Sequence, residues 1–177
     1  MTYTLRTVAA IAGALALTGC AGVSRAASAS ADADALRQAL DDEYRAEAIY
    51  ASVIDSFGDV RPFVNIVEAE RRHADHAKAD MNRLGITYDQ INPYLSTFAA
   101  PSSVLVACKQ GVSAEIENIA LYDRLIPTIK DAGVRATLTR LQWASRERHL
   151  PAFKRCVARG GAMGMGRGRG RGRQANH

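Results

Sequence analysis

Residues 43–50 read EYRAEAIY, and residues 115–122 read EIENIALY. When the two segments are aligned, they share a glutamate, an alanine, an aliphatic residue and a tyrosine in the same order. Each segment places its glutamate and tyrosine seven residues apart, which on an α-helix is about two turns along one side. The match predicts that the chain contains two copies of one helical hairpin.

Apolar residues recur at helical spacing in four blocks around these segments. No stretch combines strand alternation with turn residues, so the sequence predicts an all-α fold. Glycine and proline mark the ends of the blocks, and serine marks one start. The expected helices are about 34–57 before Gly58, about 59–84 with Pro62 in its first turn, from Ser102 or Ser103 as N-cap to about 126, and about 134–159 with a kink at Pro151.

The lengths of the connections select among bundles. The links near Gly58 and at 131–133 are short, so each pair of helices is expected to form an antiparallel hairpin. Residues 86–101 form a longer crossover between the pairs. Two antiparallel hairpins joined by a long crossover make one of the known arrangements of a four-helix bundle.

Carboxylates fall on the apolar stripes of these helices. Glu43 and Glu115 lie on the stripes of the first and third helices, and Glu70 and His73 lie together on that of the second. Burying a carboxylate without a partner is costly, so an inward glutamate beside an inward histidine needs a cation. From the second helix alone, a metal site and a buried hydrogen-bonded pair both remain open.

The fourth helix adds a second histidine. His149 lies on its apolar stripe, and overlaying the two hairpins on their histidines matches it to His73, although the chain holds only four histidines. Carboxylate and imidazole ligands suit iron or manganese. The sequence therefore predicts a centre for one or two such ions, with these ligands: Glu43, Glu70, His73, Glu115 and His149.

With these motifs, residues 34–159 resemble the ferritin-like superfamily, in particular an exported bacterial family of ferritin-like domains of unknown function. The resemblance implies a ferritin-like four-helix bundle with a di-iron carboxylate centre in its core. It implies no settled activity.

One position departs from the di-iron pattern. Arg146 stands three residues before His149, where the complete pattern has a glutamate. Glu47 is an inward spare carboxylate one turn from Glu43, and Arg146 is expected to pair with Glu47 or with Glu115. Three interpretations stay open: a two-metal site completed by water or Glu47, a single-metal site, or a bundle that no longer binds metal.

Centres of this kind oxidise Fe(II) with oxygen or peroxide. The expected activity is therefore that of a ferroxidase or a peroxide scavenger. Tyr50 and Tyr122 are expected near the metals as hydrogen-bond donors or radical quenchers, or else as ordinary core tyrosines. The alternative function is that of a non-catalytic envelope lipoprotein whose bundle is a scaffold for a partner.

The cysteines provide a separate test of the helix register. Cys108 lies seven residues before Glu115, and Cys156 lies seven residues after His149. If Glu115 and His149 pair in an antiparallel hairpin, both cysteines fall at the same level. In an oxidising compartment this predicts a disulfide, with free core thiols as the alternative.

The amino terminus looks like an export signal. Arg6 precedes the apolar stretch 8–17, which is too short to span a bilayer, and the stretch ends in LTGC at residues 17–20. This resembles the bacterial lipoprotein signal, which implies removal of residues 1–19, lipidation of Cys20 and a tether at 20–33. The expected location is the cell envelope, on the outer membrane or the outer face of the plasma membrane.

The formal charge of +5 is unevenly distributed. Residues 21–166 carry equal numbers of acidic and basic side chains, which argues against a bundle that binds polyanions. The excess lies in the Arg-Gly tail at 160–177, which is too poor in apolar residues to fold. The tail is expected to contact anionic lipid or nucleic acid, or to have no dedicated partner, and homodimer formation is left open.

Overall fold

The computed structural model describes residues 20–162, and all regular secondary structure in that range is helical, which confirms the all-α prediction. The predicted signal peptide, on which lipidation of Cys20 depends, and residues 163–177 of the tail lie outside the described residues. A 3₁₀ turn (Ile126–Thr128) and a π-helical turn (Ser145–His149) accompany five α-helices: α1 (Cys20–Phe57), α2 (Phe63–Arg83), α3 (Val104–Leu125), α4 (Ala132–Ala144) and α5 (Leu150–Ala158).

Helix α1 begins before the position expected from the sequence. Residues 20–33, interpreted as a tether, belong to the helix, and their many alanines have the highest helix propensity of any residue. Asp32 is buried, and its carboxylate accepts hydrogen bonds from the backbone N–H groups of Lys130 (2.8 Å) and Asp131 (2.9 Å). The folded unit therefore includes residues before 34, because Asp32 attaches α1 to the link between α3 and α4.

The helices run in directions that require a long crossover. α1 and α2 form one antiparallel hairpin, and α3 forms the other with α4 and α5. Between the hairpins, Glu43 contacts Tyr122 and Tyr50 contacts Glu115, so α1 and α3 are also antiparallel. Consequently α2 and α3 run in the same direction, and residues 84–103 must return along the bundle.

The crossover is attached to α1 by polar contacts. The hydroxyl of Tyr44 donates to the carbonyl of Asp89 (2.8 Å), and Nδ2 of Asn92 donates to the carbonyl of Tyr44 (2.7 Å). Farther along, the hydroxyl of Tyr94 donates to Asp41. These bonds hold the crossover against the part of α1 that carries the predicted ligands.

Two apolar clusters occupy the two ends of the bundle. One contains Leu36, Met81 and Leu138, and the other contains Tyr50, Phe63 and Phe153. The predicted ligands form a layer between the two clusters. The bundle therefore closes a polar layer on both sides with close-packed apolar side chains, which limits its contact with water.

The fourth predicted helix is interrupted as expected, but not by a simple kink. α4 ends at Ala144, a π-helical turn follows, and α5 begins at Leu150. Pro151 has no N–H to donate, and its ring crowds the carbonyl four residues earlier. The wider turn immediately before Pro151 accommodates that loss and advances the helix by part of a turn.

Candidate metal centre

All five predicted ligands meet in the polar layer. Helix α1 contributes Glu43, α2 contributes Glu70 and His73, α3 contributes Glu115, and the π-helical turn contributes His149. The three glutamates and His149 are each no more than 4% exposed, and the His73 side chain is 12% exposed. Three carboxylates and two imidazoles thus share a site that is nearly closed to solvent.

Glu70 lies at the middle of this layer. Its Oε2 is 2.9 Å from Nδ1 of His73, and its Oε1 is 3.1 Å from Nδ1 of His149. The two imidazole rings are stacked, with centroids 5.4 Å apart. One carboxylate group therefore directs a separate oxygen toward each histidine.

Each histidine also has an outer glutamate. Oε2 of Glu43 is 3.3 Å from Nδ1 of His73, and Oε2 of Glu115 is 3.5 Å from Nδ1 of His149. The layer thus consists of two groups of three residues that share Glu70, and in each group one ligand atom per residue lies within 4.8 Å of the others. Either group could hold a metal ion.

Two tyrosines hold the remaining oxygens of the outer glutamates. The hydroxyl of Tyr122 donates to Oε1 of Glu43 (2.6 Å), and the hydroxyl of Tyr50 donates to Oε1 of Glu115 (2.9 Å). Burial, together with the nearby carboxylates, raises the pKa of both tyrosines well above the usual value. Both phenols therefore remain protonated and act as donors.

Burial and mutual charge separate the pKa values of the three glutamates. Burial, with the charge of Glu70 nearby, raises the pKa of Glu43 to about 8, and burial also raises the pKa of Glu115. Burial opposes ionisation of Glu70 too, but contacts with His149 and His73 outweigh it and hold the pKa of Glu70 well below its usual range. Glu70 is accordingly the permanent anion of the layer.

The histidines respond in the opposite direction to ordinary buried imidazoles. Burial alone would lower their pKa values, but Glu43 and Glu70 raise the pKa of His73 to about 9, and Glu115 and Glu70 raise that of His149 to about 10. Without a metal, protons on the imidazoles balance the carboxylates. Nδ1 of His149 nevertheless has no hydrogen-bond partner among the described residues, although an oxygen of Glu70 lies 3.1 Å from it.

Glu47 does not belong to this centre. Although buried, it accepts hydrogen bonds from Nε of Arg71 and Nδ2 of Asn92, each at 2.8 Å. Both carboxylate oxygens are therefore occupied on the side that faces the crossover. The interpretation of Glu47 as a spare ligand is wrong. The inward side of a helix is wide enough to face two different neighbours, and Glu47 faces Arg71 and Asn92 instead of the centre.

Arg146 does not occupy the place of a missing ligand either. Its guanidinium is half exposed and lies 3.2 Å from Asp123. The expectation that it pairs with Glu47 or Glu115 is therefore wrong. Within the π-helical turn Ser145 is buried instead. The expectation assumed an unbroken helix of 3.6 residues per turn, whereas the wider turn changes which residue faces inward beside His149.

Sequence reasoning missed one polar pair beside the centre. Nδ2 of Asn118 on α3 donates to Asp42 on α1, and both residues line a cavity of about 150 Å³ that reaches Glu70 and Glu115. Burial raises the pKa of Asp42, although the bond from Asn118 opposes that shift. Asn118 lies three residues after Glu115, so helical spacing was the signal that would have indicated it.

The two core cysteines meet as predicted. Cys108 on α3 and Cys156 on α5 are at disulfide distance, with Sγ atoms 1.98 Å apart and Cα atoms 6.0 Å apart. The bond joins the start of α3 to the end of α5, on the side of the apolar cluster that contains Phe153. It therefore holds the second hairpin closed at the end away from the link between α3 and α4.

The sequence matches no protein-family model and no curated protein. The fold is similar to the crystal structure of a hypothetical protein from Methanococcus jannaschii, with a TM-score of 0.65 and 22% sequence identity. The similarity covers 75% of this chain and 82% of that chain. At this level of identity it shows a shared helical fold and carries no information about activity.

Proposed function

We propose that this chain is a ferritin-like metal-binding protein in which Glu70 bridges two divalent ions. The observation that carries the proposal is the position of the two Glu70 oxygens, which face His73 and His149 separately. Each histidine has an outer glutamate of its own, Glu43 or Glu115. A bridging carboxylate with a matching pair of ligands on each side is the arrangement that two adjacent cations need.

The donor atoms favour particular metals. Carboxylate oxygens with imidazole nitrogens suit iron and manganese, whereas the thiolates that soft metals prefer are absent from the layer because Cys108 and Cys156 are paired. Among the described residues, the buried Nδ1 of His149 has no hydrogen-bond partner, which is costly for a polar atom unless a ligand uses it. The residues present therefore fit a centre of one iron or manganese ion on each side of Glu70.

The helix directions support the ferritin-like part of the proposal. Antiparallel pairing of α1 with both α2 and α3, together with a crossover along the bundle, is the topology that this superfamily combines with inward Glu and His ligands. The second half of the centre has one glutamate fewer than the full di-iron pattern. Within the described residues, Glu70 and Glu115 are the carboxylates beside His149, and these three residues would hold the second ion.

When bound, iron in such a centre would supply one-electron chemistry with oxygen or peroxide, which suits a ferroxidase or a peroxide scavenger. The side chains of this chain would prepare the site for it. Glu70 provides the fixed negative charge between the two positions, and Tyr122 and Tyr50 hold the outer glutamates so that their free oxygens face the histidines. Because these buried phenols contact two of the ligands, we also propose that they quench radicals.

Metal content is the decisive measurement. Protein purified without chelators should contain close to two iron or manganese ions per chain by elemental analysis. Glu70→Gln keeps the shape of the side chain but removes the bridging charge, and this variant should lose most of the metal. Glu117→Gln removes an equal charge from an exposed position of α3, and this variant should retain the metal.

Two outcomes would contradict the proposal: wild-type protein without bound metal, or Glu70→Gln with unchanged metal content. The first result would favour the non-catalytic scaffold, and the second would show that Glu70 does not hold the metal. The rate of Fe(II) oxidation by oxygen and by hydrogen peroxide, compared between wild type and Glu70→Gln, then distinguishes the two proposed activities.

We also infer, from the lipoprotein-like signal, that the protein is held in the cell envelope by lipid on Cys20. Among the described residues no helix combines the length and the apolar character of a membrane span. Cys20→Ser should leave an unlipidated precursor or release the protein into the soluble fraction. Unchanged membrane partitioning of that variant, with a free mature N-terminus, would show that Cys20 is not the anchor.

A further inference from the structure

We propose that Asp42 and Asn118 form an uptake site where a divalent cation binds before it reaches the metal centre. This inference rests on the proposed function, because it gives the centre a route for loading. It concerns residues that are not ligands of the centre. Three observations support it: a cavity, a hydrogen-bonded pair at its wall, and a buried oxygen that has no hydrogen-bond partner among the described residues.

The cavity lies between the helices α1 and α3 and reaches Glu70 on α2. Its volume is about 150 Å³, and its walls include Asp42 and Asn118 together with the two ligands Glu70 and Glu115. Asp42 is partly exposed, whereas Glu70 and Glu115 are buried. A species that enters from solvent can therefore contact Asp42 first and the centre afterwards.

Asn118 supplies the independent sign of a ligand. The residue is 8% exposed, its Nδ2 donates to Asp42, and its Oδ1 has no hydrogen-bond partner among the described residues. A buried carbonyl oxygen without a donor is uncommon and calls for a water molecule or a cation. Because Nδ2 donates to Asp42, this oxygen belongs to the same hydrogen-bonded pair as the carboxylate.

The charges at the wall favour a cation over an anion. Asp42, Glu70, Glu115 and the exposed Glu117 all border the cavity, and Arg45 is the only basic residue among those that line it. Arg45 is held elsewhere, because its Nε lies 2.8 Å from Asp41 and its guanidinium stacks over the ring of Tyr94. Carboxylate and amide oxygens are the hard donors that a partly hydrated Mn²⁺ or Mg²⁺ accepts.

The distinguishing experiment measures the rate of loading separately from the final occupancy. Metal-free protein is mixed with Mn²⁺, and the fall in free Mn²⁺ is followed with a fluorescent indicator in a stopped-flow instrument. Asp42→Asn keeps an acceptor for Asn118 but removes the charge, so loading should slow by about tenfold, in the range that electrostatic steering provides. The final number of bound ions should not change.

Asp55→Asn is the matched control. It removes the same charge from an exposed position of α1 that does not line the cavity. Its loading rate should equal that of the wild type. Equal rates in Asp42→Asn and wild type would overturn the uptake site, and a lower final occupancy in Asp42→Asn would place Asp42 in the centre itself and overturn it as well.

A second measurement detects the uptake site without the centre. In Glu70→Gln, Mn²⁺ should still broaden the side-chain amide NMR signals of Asn118, and the additional change Asp42→Asn should remove the broadening. Absence of broadening in Glu70→Gln would refute the uptake site. Final occupancy in wild type tests the proposed centre, and the loading rate with the Asn118 signals tests the uptake site, so the two proposals can fail separately.

Discussion

The hydroxyl of Tyr122 on α3 donates a hydrogen bond of 2.6 Å to Oε1 of Glu43 on α1. The equivalent tyrosine of the other hairpin, Tyr50, donates to Glu115 in return. The tyrosine of each hairpin therefore orients the outer glutamate of the other hairpin and not the glutamate of its own. The exchange follows from the antiparallel arrangement of α1 and α3, and it means that the complete centre forms only when the two hairpins pack together.

Loss of a single tyrosine hydroxyl should weaken metal binding more than it disturbs the fold. Tyr122→Phe leaves a buried glutamate oxygen without its donor, which costs about 1–3 kcal/mol. We expect Mn²⁺ affinity to fall by roughly tenfold, since about 1.4 kcal/mol corresponds to that factor. Isothermal titration with Mn²⁺ measures the effect, and Tyr50→Phe should behave similarly through Glu115.

Tyr88→Phe is the control for this prediction. Its hydroxyl donates a hydrogen bond to the exposed side chain of Asn82, on the outside of the bundle. Metal affinity should be unchanged. If Tyr122→Phe binds Mn²⁺ as tightly as Tyr88→Phe does, the tyrosines are core residues with no part in orienting the ligands.

Metal binding should release protons and tighten as the pH rises. In the metal-free protein the pKa values of Glu43, His73 and His149 are raised to about 8, 9 and 10, so the layer holds protons at neutral pH. A metal ion must displace these protons, because only the deprotonated groups are ligands. Titration calorimetry in buffers of different ionisation enthalpy should detect proton release, and pH-independent affinity would contradict it.

The same pKa values predict how the stability of the metal-free protein depends on pH. A raised pKa means that the folded state holds protons that the unfolded state has lost. The stabilisation from His73 is complete below its unfolded value of 6.5 and disappears as the pH rises through about 9. Glu43, raised from 4.5 to about 8, acts in the same direction over its own range.

Denaturant unfolding of metal-free protein should therefore show a free energy of unfolding that falls between about pH 6.5 and 9. Glu70 acts in the opposite direction in acid, since its lowered pKa makes stability fall as the pH drops below the ordinary value of 4.5. Bound metal should largely remove the alkaline loss. Equal stability of the metal-free protein across the alkaline range would show that the pKa values of His73 and Glu43 are not raised in the folded state.

The disulfide should contribute substantially to stability. Cys108 and Cys156 are 48 residues apart in sequence, and the loop-entropy model assigns a closed loop of that length about 4 kcal/mol. Cys108→Ser with Cys156→Ser should lower the free energy of unfolding by about that amount. Unfolding of wild type under reducing conditions is the comparison, and an alkylatable thiol at either position of oxidised protein would contradict the pairing.

Close packing between α3 and α5 depends on Gly111. A methyl group at this position would meet the ring of Phe153 at 2.6 Å, and that ring packs between Tyr50 and Phe63. The ring has little room to move, so Gly111→Ala should destabilise the protein by about 1–3 kcal/mol. Thermal unfolding measures the effect, and Ser113→Ala, at an exposed position of the same helix, should change stability little.

Much of the fold and of the candidate ligand set could be inferred without coordinates. The period of 3.6 residues per turn identifies which side chains share a face, so Glu70 and His73 were recognisable as inward neighbours. The repeated Glu-to-Tyr spacing indicated the second hairpin, and the spacing of Cys108 and Cys156 from the ligands predicted their pairing. Each of these inferences depends on local helix geometry, which the sequence largely specifies.

Local geometry was insufficient where two elements compete for one side chain. Glu47 lies on an inward stripe, but Arg71 and Asn92 bind it, and only the position of the crossover decides that. Arg146 turns toward Asp123 because the π-helical turn before Pro151 changes the phase of the helix. A regular period cannot anticipate such a change.

The sequence by itself determined that the chain is helical and which glutamates and histidines face the core. Tertiary structure decided that one oxygen of Glu70 faces each histidine, and that Asp42 and Asn118 meet at the wall of a cavity. The physical reason is that a helix repeats every few residues and so encodes its own faces. The atoms that finally meet between two helices depend on how far each has shifted and turned against the other, and packing of the whole bundle sets that arrangement.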